Sequence, residues 1–88
     1  MQNPIDLDTA DIDQDAVELM CLVIAENYRV FPVLLAGDTL LCATDMPTEE
    51  WPASRAELEF MLNVGTVEFR ATEPSCLDRA IERFYGST

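Results

Sequence analysis

The chain contains no lysine and no histidine. Without an imidazole there is no histidine general base, no Ser-His or Cys-His nucleophile pair and no histidine metal ligand. Without a lysine there is no Schiff-base amine and no phosphate loop of the Walker A type, whose lysine reaches the β- and γ-phosphates. Basic residues are scarce altogether: five arginines stand against seventeen acids, a formal net charge of −12. A surface of that sign repels nucleic-acid phosphates and anionic membrane surfaces, so neither is an expected partner. No apolar run approaches the roughly 20 residues of a membrane span. Met1 is followed by polar and acidic residues rather than a signal-peptide pattern, which gives a cytoplasmic expectation. Cysteine is thin as well: Cys21, Cys42 and Cys76 are widely spaced without a Cys-x-x-Cys pair. That spacing suits reduced thiols better than a disulfide or zinc framework.

Hydrophobic residues make up 49% of the 88 positions, so the acidic chain is a folding sequence and not a disordered tail. A chain of this size buries roughly 60–65% of its unfolded surface, enough for one modest core. Its stability should lie in the region of roughly 4–13 kcal/mol. The expected organisation is an acidic lead-in over residues 1–12 followed by a single domain over 13–86. With catalytic groups so few, what remains is a small acidic domain that works by contact with another protein.

The periodicity predicts a helix from about Gln14 to Tyr28, with Asp13 as N-cap and Ile12 stapling onto Val17. Val17, Met20, Cys21, Ile24 and Tyr28 follow the spacing of a core-facing stripe. A hairpin comes next, with Arg29–Ala36 and Thr39–Thr44 joined by a Gly37-Asp38 turn. Pro32 cannot donate to a ladder, so it requires an unpaired side of the strand or a bulge. Asp45–Trp51 reads as a loop. A second helix spans about Ala53 to Leu62, with Ser54 and Glu57 as a capping box and Leu58, Met61 and Leu62 as its inner stripe. Asn63 and Gly65 supply its stop. Thr66–Thr72 alternates, with Val67, Phe69 and Ala71 on one side and Glu68 and Arg70 on the other, which predicts a half-buried strand. Thr72 or Ser75 caps a last helix with the stripe Leu77, Ala80, Ile81 and Phe84, ended by Gly86. The order αββαβα predicts a two-layer α/β (α+β) sandwich, a small three-stranded sheet with helices packed on it. Arg29–Ala36 is expected between the other two strands, each pair antiparallel.

Candidate chemical sites are few. Asp11, Asp13 and Asp15 imitate the start of a calcium loop, but Ala16 stands where glycine belongs and Leu22 where the bidentate acid belongs. No metal is expected. Glu49 and Glu50, adjacent in a proline-flanked loop, read as solvated acids rather than a catalytic pair. Cys76, near a helix start, could have a lowered pKa, but a space-filling thiol is the favoured reading, and Cys21 and Cys42 read as core thiols. Trp51 is either a lid on the core or a contact residue, with the lid favoured. No catalytic residue and no cofactor are expected, and the chain is read as a non-enzyme.

From Ile5 to Gly86 the sequence resembles the amino-terminal domain, of the MshEN type, of the ATPases that power type II secretion and type IV pili. The segments that carry the likeness are Ile5-Asp6-Leu7 with Asp11-Ile12-Asp13, and Tyr28-Arg29-Val30-Phe31-Pro32-Val33. The hairpin Gly37-Asp38-Thr39-Leu40-Leu41-Cys42-Ala43-Thr44-Asp45 matches the family's Gly-x-x-Leu-x-Val-Ala-x-x-Asp pattern. Leu58-Glu59-Phe60-Met61, Val67-Glu68 and the closing Ala80-Ile81-Glu82-Arg83-Phe84-Tyr85-Gly86 complete it. The resemblance implies a non-catalytic docking or regulatory module that couples a motor or regulator to the cytoplasmic part of an inner-membrane platform protein. Some relatives bind cyclic di-GMP through Arg-Leu-Gly and leucine-patterned segments upstream of the matched region. This chain has no Arg-Leu-Gly and only Met1–Pro4 precede the match, so cyclic di-GMP is not an expected ligand. The rival reading is a free-standing acidic inhibitor or mimic that binds a basic partner. A mimic would lose affinity steeply with salt, whereas an apolar docking face would not.

The expected contact face lies on the first helix. Leu19, Leu22 and Val23 fall outside its core stripe and are flanked by Glu18 and Glu26, an apolar patch with a polar rim. Together with Trp51, the candidate contact residues are Leu19, Leu22, Val23 and Glu26.

Overall fold

The structure, a computed structural model, describes residues 6–7 and 10–86. Positions 1–5 and 8–9 of the expected lead-in, Ile5 of the family-like segment among them, lie outside the described residues. The elements run α1 (Gln14–Leu19), α2 (Leu22–Tyr28), β1 (Val30–Ala36), β2 (Thr39–Thr44), α3 (Trp51–Leu62), β3 (Thr66–Ala71) and α4 (Pro74–Tyr85), with a 3-10 turn at Thr48–Glu50. They form a three-stranded mixed sheet with the four helices packed on it.

The expected first helix is two helices. Asp13 caps the first as anticipated, its carboxylate accepting the Asp15 N–H at 3.1 Å. Met20 and Cys21 are then extended, with φ/ψ of −112°/162° and −124°/167°. In an unbroken helix the Val17 carbonyl would accept from the Cys21 N–H. Here it accepts the Met20 N–H at 3.3 Å and the Tyr85 hydroxyl at 2.6 Å. A tertiary bond thus replaces the helical one. The break also changes the buried set: Ala16, Val17, Met20 and Ala25 face the core, while Cys21, expected there, is exposed.

The hairpin forms with Ala36 opposite Thr39, and Gly37 at φ 61° supplies the positive angle its turn requires. Strand order is β1-β2-β3, with β1·β2 antiparallel and β2·β3 parallel. β1 is therefore at the edge, and the expectation that it is central is corrected. Two features explain this. The β2-α3-β3 unit brings β3 back parallel beside β2, which fills that side. Pro32, with no N–H, is tolerated on an edge strand next to the bulge that lies between Pro32 and Leu34. Asp13 covers that edge, donating its N–H to the Val33 carbonyl at 2.8 Å and accepting the Leu35 N–H at 3.2 Å.

Helix α3 starts at Trp51, inside the expected loop, behind Glu50 as N-cap. The expected capping box does not form. Ser54 instead points its hydroxyl at the Met46 sulfur, 3.4 Å away, and Glu57 accepts from the Tyr28 hydroxyl. Leu58 and Leu62 are buried as expected, but Met61 is 44% exposed. Asn63, left-handed at φ 57°, closes the helix. On β3, Val67 and Phe69 are buried and Thr66 and Glu68 exposed, while Ala71, expected on the buried side, is exposed at the end of the strand. The cap of α4 is Glu73, not Thr72 or Ser75, and Pro74 takes the first helical position. Leu77, Ala80 and Ile81 are buried, Phe84 packs against the core, and Gly86 closes the helix by donating to Ile81 and Glu82.

The core is centred on Phe31, Leu40, Leu58 and Leu77, all fully buried. The Phe31 ring meets Phe84 at 5.2 Å and Tyr85 at 5.9 Å, while Trp51 meets Phe69 at 5.6 Å. These contacts hold α4 and α3 to the sheet.

Candidate contact surfaces

Arg29 sits where α2 turns into β1 and holds three elements together. Its backbone is left-handed at φ 54°, and its carbonyl accepts the Thr44 hydroxyl at 2.6 Å. The guanidinium reaches Asp45 at 2.8 Å and Asp78, on α4, at 2.7 Å. The bond to Asp45 raises its pKa most, partial burial opposes this, and Asp78 adds to the rise. Beside it a groove of about 390 Å³ is lined by Leu22, Glu26, Arg29, Asp78, Ile81 and Glu82, with Gly86. Arg29 is thus spoken for by two carboxylates, and the groove carries no spare positive charge from it.

A second groove, about 370 Å³, lies along α4 and is lined by Leu7, Arg79, Ala80, Glu82, Arg83 and Phe84. Leu7 is 3% exposed and supplies an apolar wall there. Arg79 and Arg83, one helical turn apart, project from the same face of α4. The Arg83 guanidinium lies 5.3 Å from the Phe84 ring centroid, and Arg79 donates to the Cys76 sulfur at 3.4 Å. Two of the chain's five arginines therefore flank one apolar groove. Guanidinium groups in this setting can bond phosphate oxygens in bidentate fashion and stack on planar bases.

The remaining titratable groups have structural surroundings. Burial pushes the Cys42 thiol up to about 12. Burial is also the main cause of the raised Tyr85 pKa, and the bond to Glu57 is that of the raised Tyr28 pKa. Asp13 is engaged by the backbone N–H groups of Asp15 and Leu35, while Asp11, Asp15, Glu49 and Glu50 are exposed. Among the described residues no group of three or more His, Cys, Asp or Glu side chains is placed to hold a metal. Among them, too, no helix is long and apolar enough to cross a membrane.

The five expected contact residues are not gathered in one patch. Leu22 and Glu26 line the Arg29 groove, and Val23, on the same helix, is 63% exposed. Leu19 is half-buried and packs against the core. Trp51 is also half-buried, donating its indole N–H to the Met46 carbonyl at 3.2 Å and packing its ring, tilted by 50°, against Phe69. Two features went unread in the sequence. Phe60, 88% exposed, stands with Ala53 and Ala56 on the outer row of α3. The Arg79–Arg83 pair could have been found from its four-residue spacing next to Phe84 in a chain so poor in cations.

The family model described as the MshEN domain matches residues 3–88. A solved structure of MshE with cdg, cyclic di-GMP, matches with a TM-score of 0.80 and 30% identity. The match covers 93% of this chain and 58% of that one, so the chain spans little more than half of the solved relative. No curated protein matches this chain. The MshE relative, solved with cyclic di-GMP, overturns the expectation, drawn from the missing motifs, that cyclic di-GMP is not a ligand to expect here. That expectation weighed the absent Arg-Leu-Gly and leucine pattern and the few residues that precede the matched region.

Proposed function

The chain belongs to the MshEN domain family, and from that premise we propose that it is a non-catalytic regulatory module. It takes cyclic di-GMP in the α4 groove and docks a protein partner in the cytoplasm. The observation that supports the ligand is the placing of Arg79 and Arg83 one turn apart over Leu7, Ala80 and Phe84. A cyclic dinucleotide presents two phosphates and two purine faces, and arginine serves both. The strong net negative charge makes that pair the local exception, since elsewhere the surface repels phosphate. For the protein contact, the supporting surface is α2, where exposed Val23 and Glu26 adjoin half-buried Leu22. Its partner would be the cytoplasmic part of a secretion or pilus platform protein, or the parent ATPase.

Calorimetric titration of cyclic di-GMP into the 88-residue chain tests the ligand assignment. Saturable heat is expected, with affinity falling about 10–100-fold in the Arg79→Ala/Arg83→Ala double variant while its melting transition is kept. No saturable heat, or unchanged binding by the double variant, would sink the assignment to this groove.

A further inference from the structure

We infer that a second copy of this chain docks on the outer edge of β3, pairing the two β3 strands antiparallel about Phe69. The two edges of the sheet are not equivalent. The outer side of β1 is covered by Asp13, which bonds to Val33 and Leu35. Among the described residues no strand lies beyond β3.

The backbone alternation shows what that edge offers. Thr66 and Thr72 donate their N–H groups inward, to Asp38 at 3.1 Å and Thr44 at 2.9 Å. Residues of that parity therefore face β2, and Val67, Phe69 and Ala71 face outward. The outward direction of Val67 is confirmed by its N–H, which is held by the Glu59 carboxylate at 2.8 Å. Glu59 is the movable cover of this edge, a side chain that a strand could displace.

The sequence of the edge is complementary to itself. With Phe69 opposite Phe69 of the second copy, Val67 pairs with Ala71, and Glu68 with Arg70, in both directions. About six main-chain hydrogen bonds then form between the outward-facing residues. Glu68 and Arg70 share the face of β3 opposite the buried Val67 and Phe69, so both cross-strand ion pairs fall on one side. Slipping by two residues sets Glu68 against Glu68, or Arg70 against Arg70. A slip of one residue puts outward groups against inward ones. Charge complementarity therefore selects a single register.

A strand pair of this length buries less than a permanent interface needs, so the dimer is weak and depends on concentration. Each copy carries a net charge of −12, so moderate salt favours pairing by screening the overall repulsion.

Sedimentation velocity of the 88-residue chain over a concentration series gives the test. Reversible dimerisation is expected. Glu68→Arg and Arg70→Glu should each raise the dissociation constant about 10–30-fold, since both cross-strand pairs become like-charged. An equimolar mixture of those two variants should pair again, and the Glu68→Arg/Arg70→Glu double exchange should dimerise like the parent at the same net charge. Ala71→Pro removes an outward N–H at a position where an edge strand tolerates proline, and should abolish pairing without loss of the melting transition. A parent chain monomeric at the highest concentration reached would overturn the inference. So would an Ala71→Pro variant that still dimerises, or a mixture of the two charge variants that stays monomeric.

Discussion

Replacing Arg29 by Met separates the arginine that holds the fold from those assigned to the ligand. Met keeps the length of the stem and accepts the left-handed backbone no worse than Arg, so the change removes the guanidinium contacts alone. The Arg29 and Asp45 side chains are 36% and 14% exposed, and Asp78 is 62% exposed. The contact with Asp45, partly sheltered and made by both Nε and Nη2, contributes about 1–2 kcal/mol. The Asp78 contact is well solvated and screened, and adds about 0.5 kcal/mol at most. A loss of about 2 kcal/mol is therefore expected, which for a domain of this size lowers the melting temperature by about 8–16 °C. Thermal and urea melts of the parent and the variant, followed by circular dichroism, measure it. Adding Asp45→Asn to Arg29→Met should recover part of the loss by removing the stranded carboxylate. Cyclic di-GMP titration of the Arg29 variant, below its melting range, should match the parent. A melting point within a degree or two of the parent would refute the reasoning, making the clasp a surface pair without consequence. A loss of cyclic di-GMP affinity would place Arg29 in the ligand site instead of outside it.

Double substitution of Leu19 and Leu22 by Ser should cost about 2–4 kcal/mol, because both side chains pack against the core. Val23→Ser should stay within about 0.5 kcal/mol of the parent. Equal melting curves for the double variant and the parent would show the leucines to be free surface. Stability should also fall at alkaline pH. Folding raises the Cys42 thiol from 9.0 to about 12, so above pH 9 the unfolded chain gives up a proton that the folded chain keeps. Unfolding then gains up to about 1.4 kcal/mol per pH unit through that window. The raised Tyr28 and Tyr85 act in the same direction. Urea midpoints measured across pH should show a shallower alkaline decline in Cys42→Ala, and an unchanged slope would contradict the assignment.

Local chemistry written in adjacent residues was legible without the fold. Gly37-Asp38 marks a turn whose positive φ glycine supplies, Asp13 is a side chain able to cap, and Asn63 accepts the left-handed angle that stops a helix. The strict alternation of Thr66–Ala71 identifies a half-buried strand, since opposite faces of a strand meet core and water in turn. The order of segments along almost the whole chain also carried the family likeness. Distant partners decided the rest. The first helix breaks because the Tyr85 hydroxyl, 68 residues away, takes the Val17 carbonyl. That bond moves Cys21 from an expected core stripe to the surface. Strand order depended on where the β2-α3-β3 crossover returned the chain, which Pro32 hinted at but could not decide. The role of each arginine was likewise tertiary. The four-residue spacing of Arg79 and Arg83 marks them as a pair, but only the fold sets Arg29 against Asp45 and Asp78 and places that pair beside a groove with Leu7. Sequence determines which groups can cap, turn and alternate, because those choices are settled within a few residues. Only the assembled fold decides which buried carbonyls and charges find one another, because their partners lie tens of residues apart.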